Sequence, residues 1–276
     1  PRSGTTLVQG ILNTHSLIYG GPEFDDLRGL TEIFYEIRNI SDKRSGVYFN
    51  EKELDEIFSN LLFKLLAEKP LYESKKSILS EKTPSNIKAF NKLLKFLPNE
   101  KYIFVLRDPR AVVNSLKNVK RKARELNIPV PQMSKNLLER INTVTEHQLA
   151  GFKCIHQHSN VLVLKYEDLV SERIKTIHSI CDFLGVRFED DMLKPGIPQN
   201  PNSVKAFSPT KKGMQNKIIN NQYSFYHEMN KVELSVTNIF FKKYYDYKKF
   251  GYIMERGNYI YYLMYQIYRF SLILLK

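Results

Sequence analysis

The chain has 276 residues, 42% of them hydrophobic, enough for one sizeable core and so for one domain with peripheral additions. Lys and Arg number 42 against 29 Asp and Glu, a net charge of +13, which suits polyanionic partners: nucleotide phosphates, acidic or sulfated glycans, acidic peptides, nucleic acid or anionic lipid. The two cysteines, Cys154 and Cys181, lie in apolar helical patterns as reduced core residues, and no residues have metal-ligand spacing.

The stretch Pro1-Arg2-Ser3-Gly4-Thr5-Thr6-Leu7 organises the chain. Gly4 permits a tight turn, and Leu7, Val8, Ile11 and Leu12 mark a helix over 7–15. The N–H groups at its start point back at the loop. With the hydroxyls of Ser3, Thr5 and Thr6 and the Arg2 guanidinium they form a cradle for an anion. The simpler alternative is an ordinary helix N-cap. The loop is not the G-x-x-x-x-G-K-[ST] phosphate loop of kinases, since no Lys follows the Gly. It starts abruptly where a strand should precede it, so an N-terminal piece is expected to be absent. No signal peptide is visible.

Tyr19-Gly20-Gly21-Pro22-Glu23 reads as a turn-rich break. A helix is predicted over 51–68, with Leu54, Ile57, Phe58, Leu61, Leu62 and Leu65 on one stripe. Lys76–Leu79 reads as a short strand leading into Glu81-Lys82-Thr83-Pro84-Ser85-Asn86, where Ser85 caps a helix over 86–96. Tyr102–Leu106 is an apolar run of the kind found in a covered parallel strand. It ends in Arg107-Asp108-Pro109-Arg110, and a helix starts at Ala111. Lys117, Lys120, Arg121, Lys122 and Arg124 form a basic run, either a solvated helix face or part of an acidic-acceptor groove. Ser134 caps a helix to about residue 157, and Val161–Leu164 is another buried strand. Tyr166-Glu167-Asp168-Leu169 opens a helix to Leu184 that Gly185 ends. Residues 195–222 read as a long loop holding Lys211 and Lys212, and a helix spans 231–245. The repeated order of strand, loop and helix predicts an α/β layer with a parallel sheet, as one domain over 1–256. The apolar tail over 257–276 is short of a membrane span. It reads as a helix packed on the domain, with an interfacial anchor or an oligomer face as alternatives. The six histidines show no ligand spacing and read as surface or satisfied core residues.

Ligands in open α/β sheets bind at the carboxyl ends of strands. The Arg2–Thr6 loop, Lys82, Arg107 and Tyr166 stand at four such ends. Ser115 lies about two turns into the helix after Arg107, so both can meet one phosphate. The alternative for Arg107-Asp108 is a local ion pair.

PRSGTTL, EKTPSN, YIFVLRDPRAVVNS and VLKYEDL, in this order over roughly residues 1–186, resemble the PAPS-dependent sulfotransferases. The likeness is strongest to the protein-tyrosine, glycan and bacterial branches. It implies a P-loop-like parallel sheet flanked by helices and 3′-phosphoadenosine 5′-phosphosulfate (PAPS) as donor, with PAP as product. Arg2, Ser3, Gly4, Thr5 and Thr6 would hold the 5′-phosphosulfate. Arg107 and Ser115 would hold the 3′-phosphate, and Tyr166 would line the nucleotide. Glu23 would be the catalytic base, with Arg2 and Lys82 neutralising the leaving phosphate. Small-molecule sulfotransferases use a Lys in the first loop and a catalytic His in K-x-H; here Arg2 stands first and Lys82-Thr83-Pro84 has no His. The implied acceptor bears a hydroxyl on a glycan, tyrosine peptide or lipid, with no specific nucleic acid. A homodimer and peripheral membrane contact through the tail stay open, and location is cytoplasmic for a bacterial-type enzyme or lumenal behind an N-terminal anchor. The competing functions are a non-catalytic polyanion binder that keeps the fold, and a P-loop kinase. The kinase needs a Lys after the Gly and a Mg²⁺-binding Asp on a strand.

Overall fold

Short parallel strands form the frame of the computed structural model, which describes residues 1–41, 47–155, 158–195, 223–244 and 246–274. Apart from Pro195, the expected loop over 195–222 with Lys211 and Lys212 lies outside the described residues, as does His156.

The chain opens with α1 (Thr5–Thr14), β1 (Ile18–Gly20), α2 (Leu27–Ser41), α3 (Glu51–Leu62) and, after a π turn over Phe63–Ala67, α4 (Glu68–Ser74). Then come β2 (Ile78–Ser80), a 3-10 turn over Pro84–Ala89, α5 (Phe90–Phe96), β3 (Tyr102–Leu106), α6 (Pro109–Glu125), α7 (Leu137–Phe152) and β4 (Val161–Lys165). Next are α8 (Tyr166–Ser171), α9 (Arg173–Leu184), α10 (Phe225–Glu228), α11 (Lys231–Tyr244) and α12 (Tyr259–Leu274). β1 pairs with β2 and β3 with β4, both in parallel, with Tyr102 opposite Val161 and Leu106 opposite Lys165. The helices between paired strands are the crossovers that parallel pairing needs. The result is the expected α/β class, helix-rich, with the sheet in two small pieces. β2 and β3 both line a cavity of about 640 Å³ that reaches Pro1 and Ser3.

One cluster of the core joins β3 to α6, α7 and α10–α12 through Leu106, Leu116, Ile141, Phe225 and Phe241. A second joins α1, β4 and α9 through Ile11, Leu164, Ile177 and Ile180. A third packs Leu27 of α2 on Phe58, Leu93 and Phe96.

Several elements depart from the sequence expectation. Ile18–Gly20 is a strand rather than a break. Its partner β2 lies about sixty residues away, so only the long-range pairing creates it. α2 was not expected, although Leu27, Leu30 and Phe34 have helical spacing. The predicted helix over 51–68 starts on a capping box, in which Asn50 Oδ1 accepts from Glu53 N and Glu53 Oε2 from Asn50 N. Within α3, Leu54, Phe58 and Leu62 are buried while Ile57 faces solvent, and the π turn then shifts the phase and leaves Leu65 exposed. Ser85 sits inside the 3-10 turn, so it does not cap, and α5 begins at Phe90. Ser134 is buried in a 3-10 turn, and Asn136 caps α7 instead, accepting from Glu139 N at 2.9 Å. The helix after Ala111 starts two residues earlier, at Pro109, because the Asp108 carboxylate accepts from Arg110 N at 2.8 Å. Glu172 breaks the 166–184 helix into α8 and α9, while Gly185 ends it in the left-handed region as expected.

Candidate active site

Gly4 is the hinge of the site. Its φ of 98° is one that side-chain-bearing residues rarely adopt, and a Cβ here would lie 2.3 Å from Cδ2 of Tyr166. α1 starts at once after it, with no side-chain cap and no acid in its first turn. The positive end of the helix therefore faces the loop uncompensated. Ser3 is nearly buried beside it.

Arg2 precedes this hinge with a φ of 64°. Its Nε donates to Ser115 Oγ at 3.1 Å, and its carbonyl accepts from Arg107 Nη1 at 3.1 Å. The Arg107 guanidinium lies over the Tyr166 ring, 4.2 Å from its centre. Arg107 Nε is buried with no hydrogen-bond partner among the described residues. Burial, and then the neighbouring Arg107, push the Arg2 guanidinium below its ordinary pKa. The fold thus brings Arg2, Gly4, Arg107, Ser115 and Tyr166 together, with two cations side by side and a donor left over. An anion with several acceptor oxygens relieves both features.

The geometry also settles the local-pair alternative for Arg107. Asp108 pairs with Arg110, its Oδ2 2.7 Å from Nη2, deep under Phe225 and Tyr226. Arg107 is left to the loop. Gln148 of α7 fixes the end of β3 by donating to the Arg107 carbonyl at 2.9 Å, and Tyr247 donates in turn to Gln148. Glu167 accepts from Asp108 N at 3.0 Å and from Tyr252 at 2.5 Å, which ties the Tyr166 turn to the end of β3.

The second half of the site is the pair Lys82 and Glu23, in direct hydrogen-bond contact. Glu81 holds the surrounding backbone. Its buried carboxylate accepts from Thr83 Oγ1 and Asn86 Nδ2 at 2.6 Å and from Phe24 N at 3.3 Å. Burial pushes its pKa up. Gln9 of α1 joins the two sides, with its Nε2 2.8 Å from the Ser80 carbonyl and 3.3 Å from that of Gly21. The halves converge on Pro1. Pro1, Ser3, Glu81 and Lys82 line one cavity. Sequence spacing did not single out Glu81, Gln9, Gln148, Glu167 or Tyr252. Glu81 stood inside EKTPSN, but its partner at Phe24 is fixed only by the fold.

Other candidates settle into structural roles. Lys117 of the basic run contacts Glu233 and the Glu228 carbonyl, and Arg121 pairs with Glu125. His15 is buried, with Nε2 2.9 Å from the Arg187 carbonyl. Cys154 and Cys181 are free and buried, and burial pushes both thiols up.

A parallel α/β frame with a helix N-terminus, two arginines and a stacked tyrosine at its strand ends defines an anion-handling transferase-type site. The sulfotransferase family model matches residues 1–190, and the chain belongs to that family. Protein-tyrosine sulfotransferase A of Caenorhabditis elegans is 25% identical over 200 residues, covering 70% of this chain and 50% of the relative. Protein-tyrosine sulfotransferase 2 of Gallus gallus is 24% identical over 197 residues, covering 70% and 51%. The chain therefore spans about half the length of these curated relatives. Its fold is similar to the sulfotransferase domain of the curacin biosynthetic pathway, with a TM-score of 0.53 at 20% identity over 83% of this chain and 88% of the other. The sulfotransferase domain of the Synechococcus olefin synthase gives the same TM-score and identity, covering 83% and 85%.

Proposed function

We propose that the chain moves a sulfuryl group from PAPS to an acceptor hydroxyl and releases PAP. The observation that carries the proposal is the Arg107 cluster. A buried Arg107 donor without a partner among the described residues, with the guanidinium bonded to the Arg2 carbonyl and stacked on Tyr166, suits a localised phosphate on a nucleoside. A diffuse polyanion needs no such pocket, which sets the binding-protein alternative behind the enzyme. The loop lacks the Lys of a P-loop kinase.

In this reading Arg107 and Ser115 hold the 3′-phosphate, and Tyr166 lines the nucleotide. The first turn of α1 with Ser3, Gly4, Thr5 and Thr6 takes the 5′-phosphosulfate. The acceptor oxygen attacks sulfur in line, and the bond from sulfur to the bridging phosphate oxygen breaks. Glu23 accepts the hydroxyl proton. Lys82 and Arg2 supply positive charge to the departing phosphate. A sulfuryl group carries less charge than a terminal phosphoryl group, so these cations suffice without a metal. The names of the relatives and the charge of +13 favour an acidic, tyrosine-bearing peptide as acceptor.

The test is incubation with sulfur-labelled PAPS and a panel of tyrosine peptides, glycans and lipids. Label on one class identifies the acceptor; label on none, with PAP still bound, favours the binding-protein alternative. Calorimetry reports the donor. PAP should bind about ten- to a hundredfold more tightly than AMP through charge-assisted contacts to the 3′-phosphate. Arg107→Ala should erase most of that ratio without unfolding the chain. Equal affinity for PAP and AMP in the parent chain counts against the assignment.

A further inference from the structure

We propose that α12 is an interfacial helix that lays the chain on an anionic lipid bilayer. The helix has two unlike faces. Tyr262 and Tyr265 turn inward and pack on the core of α6, α7 and α11. Ile260, Leu263, Met264 and Ile267 stand at i, i+3, i+4 and i+7 on the other side, exposed by 67%, 63%, 61% and 64%. Ile253, just before the helix, is exposed by 71%. A contiguous apolar stripe of this kind is uncommon on a surface that faces only water.

The inward face is fixed. A Cβ on Gly257 would meet the Ser235 carbonyl of α11 at 2.5 Å and Ile239 at 2.7 Å, so the chain enters α12 pressed against α11. The stripe cannot be buried by rolling the helix without losing that contact. Nor does α12 span a bilayer: its 16 residues extend about 24 Å, short of the ~30 Å hydrocarbon core. No helix among the described residues is long and apolar enough to cross a membrane. A helix of this length, with its inner face packed on the domain, can lay its exposed apolar stripe in the plane of the interface.

Charge selects the occupant. Residues 242–276 hold seven Lys and Arg against two Asp and Glu. Lys242, Lys248, Lys249 and Arg256 are exposed. Of the two acids, Asp246 pairs with Lys249, and Glu255 accepts from Tyr226 at 3.0 Å. A second copy docked on the same face would set this positive segment against itself. Anionic headgroups neutralise it while the acyl boundary takes the apolar stripe.

Sedimentation of the full chain with vesicles checks this, using phosphatidylcholine alone and phosphatidylcholine mixed with phosphatidylglycerol. The chain should pellet with the anionic vesicles, less so with rising salt, and scarcely with the neutral ones. The double variant Leu263→Asp, Ile267→Asp should lose about tenfold or more in partitioning while keeping the parent melting curve, since both side chains are already in water. Failure to pellet with anionic vesicles overturns the proposal, as does equal pelleting of parent and variant. Analytical ultracentrifugation covers the rival occupant: a dimer that the same two substitutions dissociate would assign the stripe to a second copy and overturn the lipid assignment.

Discussion

Glu23 and Lys82, the base and a cation of the proposed reaction, form an ion pair in the free chain. Each is only partly exposed, and each holds the other in place. Losing the Glu23 carboxylate would remove the proposed proton acceptor and leave the Arg107 cluster intact. Glu23→Gln should therefore lower turnover by about 10²–10⁴-fold and leave PAP affinity nearly unchanged. Asp25 and Asp26 are exposed to solvent, so their amide variants should behave like the parent in the same assay. Near-normal turnover in Glu23→Gln would move the base elsewhere. Gly4 makes a second, independent prediction. Ala at a φ of 98° and against the Tyr166 ring must strain the loop or push the ring away. Gly4→Ala should destabilise the fold by about 1–3 kcal/mol and weaken PAP binding, read by thermal melting and calorimetry. An unchanged melting curve and unchanged affinity would show that the loop relaxes freely.

At the scale of elements, α7 carries more than packing. Gln148 fixes the end of β3, and His147 one residue earlier is partly buried. Burial pushes His147 from its ordinary 6.5 down to about 4. Between these values the unfolded chain binds a proton that the folded chain refuses. The His147 contribution to stability should be flat above about pH 6.5 and fall as pH drops from there towards 4. His147→Gln removes that difference. Melting temperatures of parent and variant between pH 7 and 4.5 should converge on acidification, as the variant loses less; parallel curves would refute this. Glu81 acts between elements in a similar way. One buried carboxylate joins the turn at Phe24 to the start of the 3-10 turn, and so sets where Glu23 and Lys82 meet.

For the whole molecule, in the proposed reaction Arg2, Lys82 and Arg107, in a chain of net charge +13, would supply the cations that phosphoryl enzymes take from Mg²⁺. Transfer should proceed at an undiminished rate in EDTA. Activity that vanishes with the chelator and returns with Mg²⁺ would contradict this and favour kinase-type chemistry. Raised salt should weaken an acidic acceptor more than PAP, because the acceptor is steered by long-range field and PAP is held by contacts.

The sequence by itself determined the local chemistry. Gly4 before an apolar periodicity marks the loop and α1, the run Tyr102–Leu106 marks β3, and the helical pattern after Arg107 marks α6 with Ser115 two turns in. Each of these signals lies within a dozen residues, where backbone geometry fixes relative position. Tertiary structure decided what depends on distant partners. Ile18–Gly20 is a strand because Ile78–Ser80 lies beside it. Arg2 reaches Ser115 across 113 residues, and Glu81 meets Phe24 across 57. The exposed side of α12 follows from Gly257 pressed on α11. Periodicity states that a helix has two faces, and only packing chooses which one is left to meet a partner.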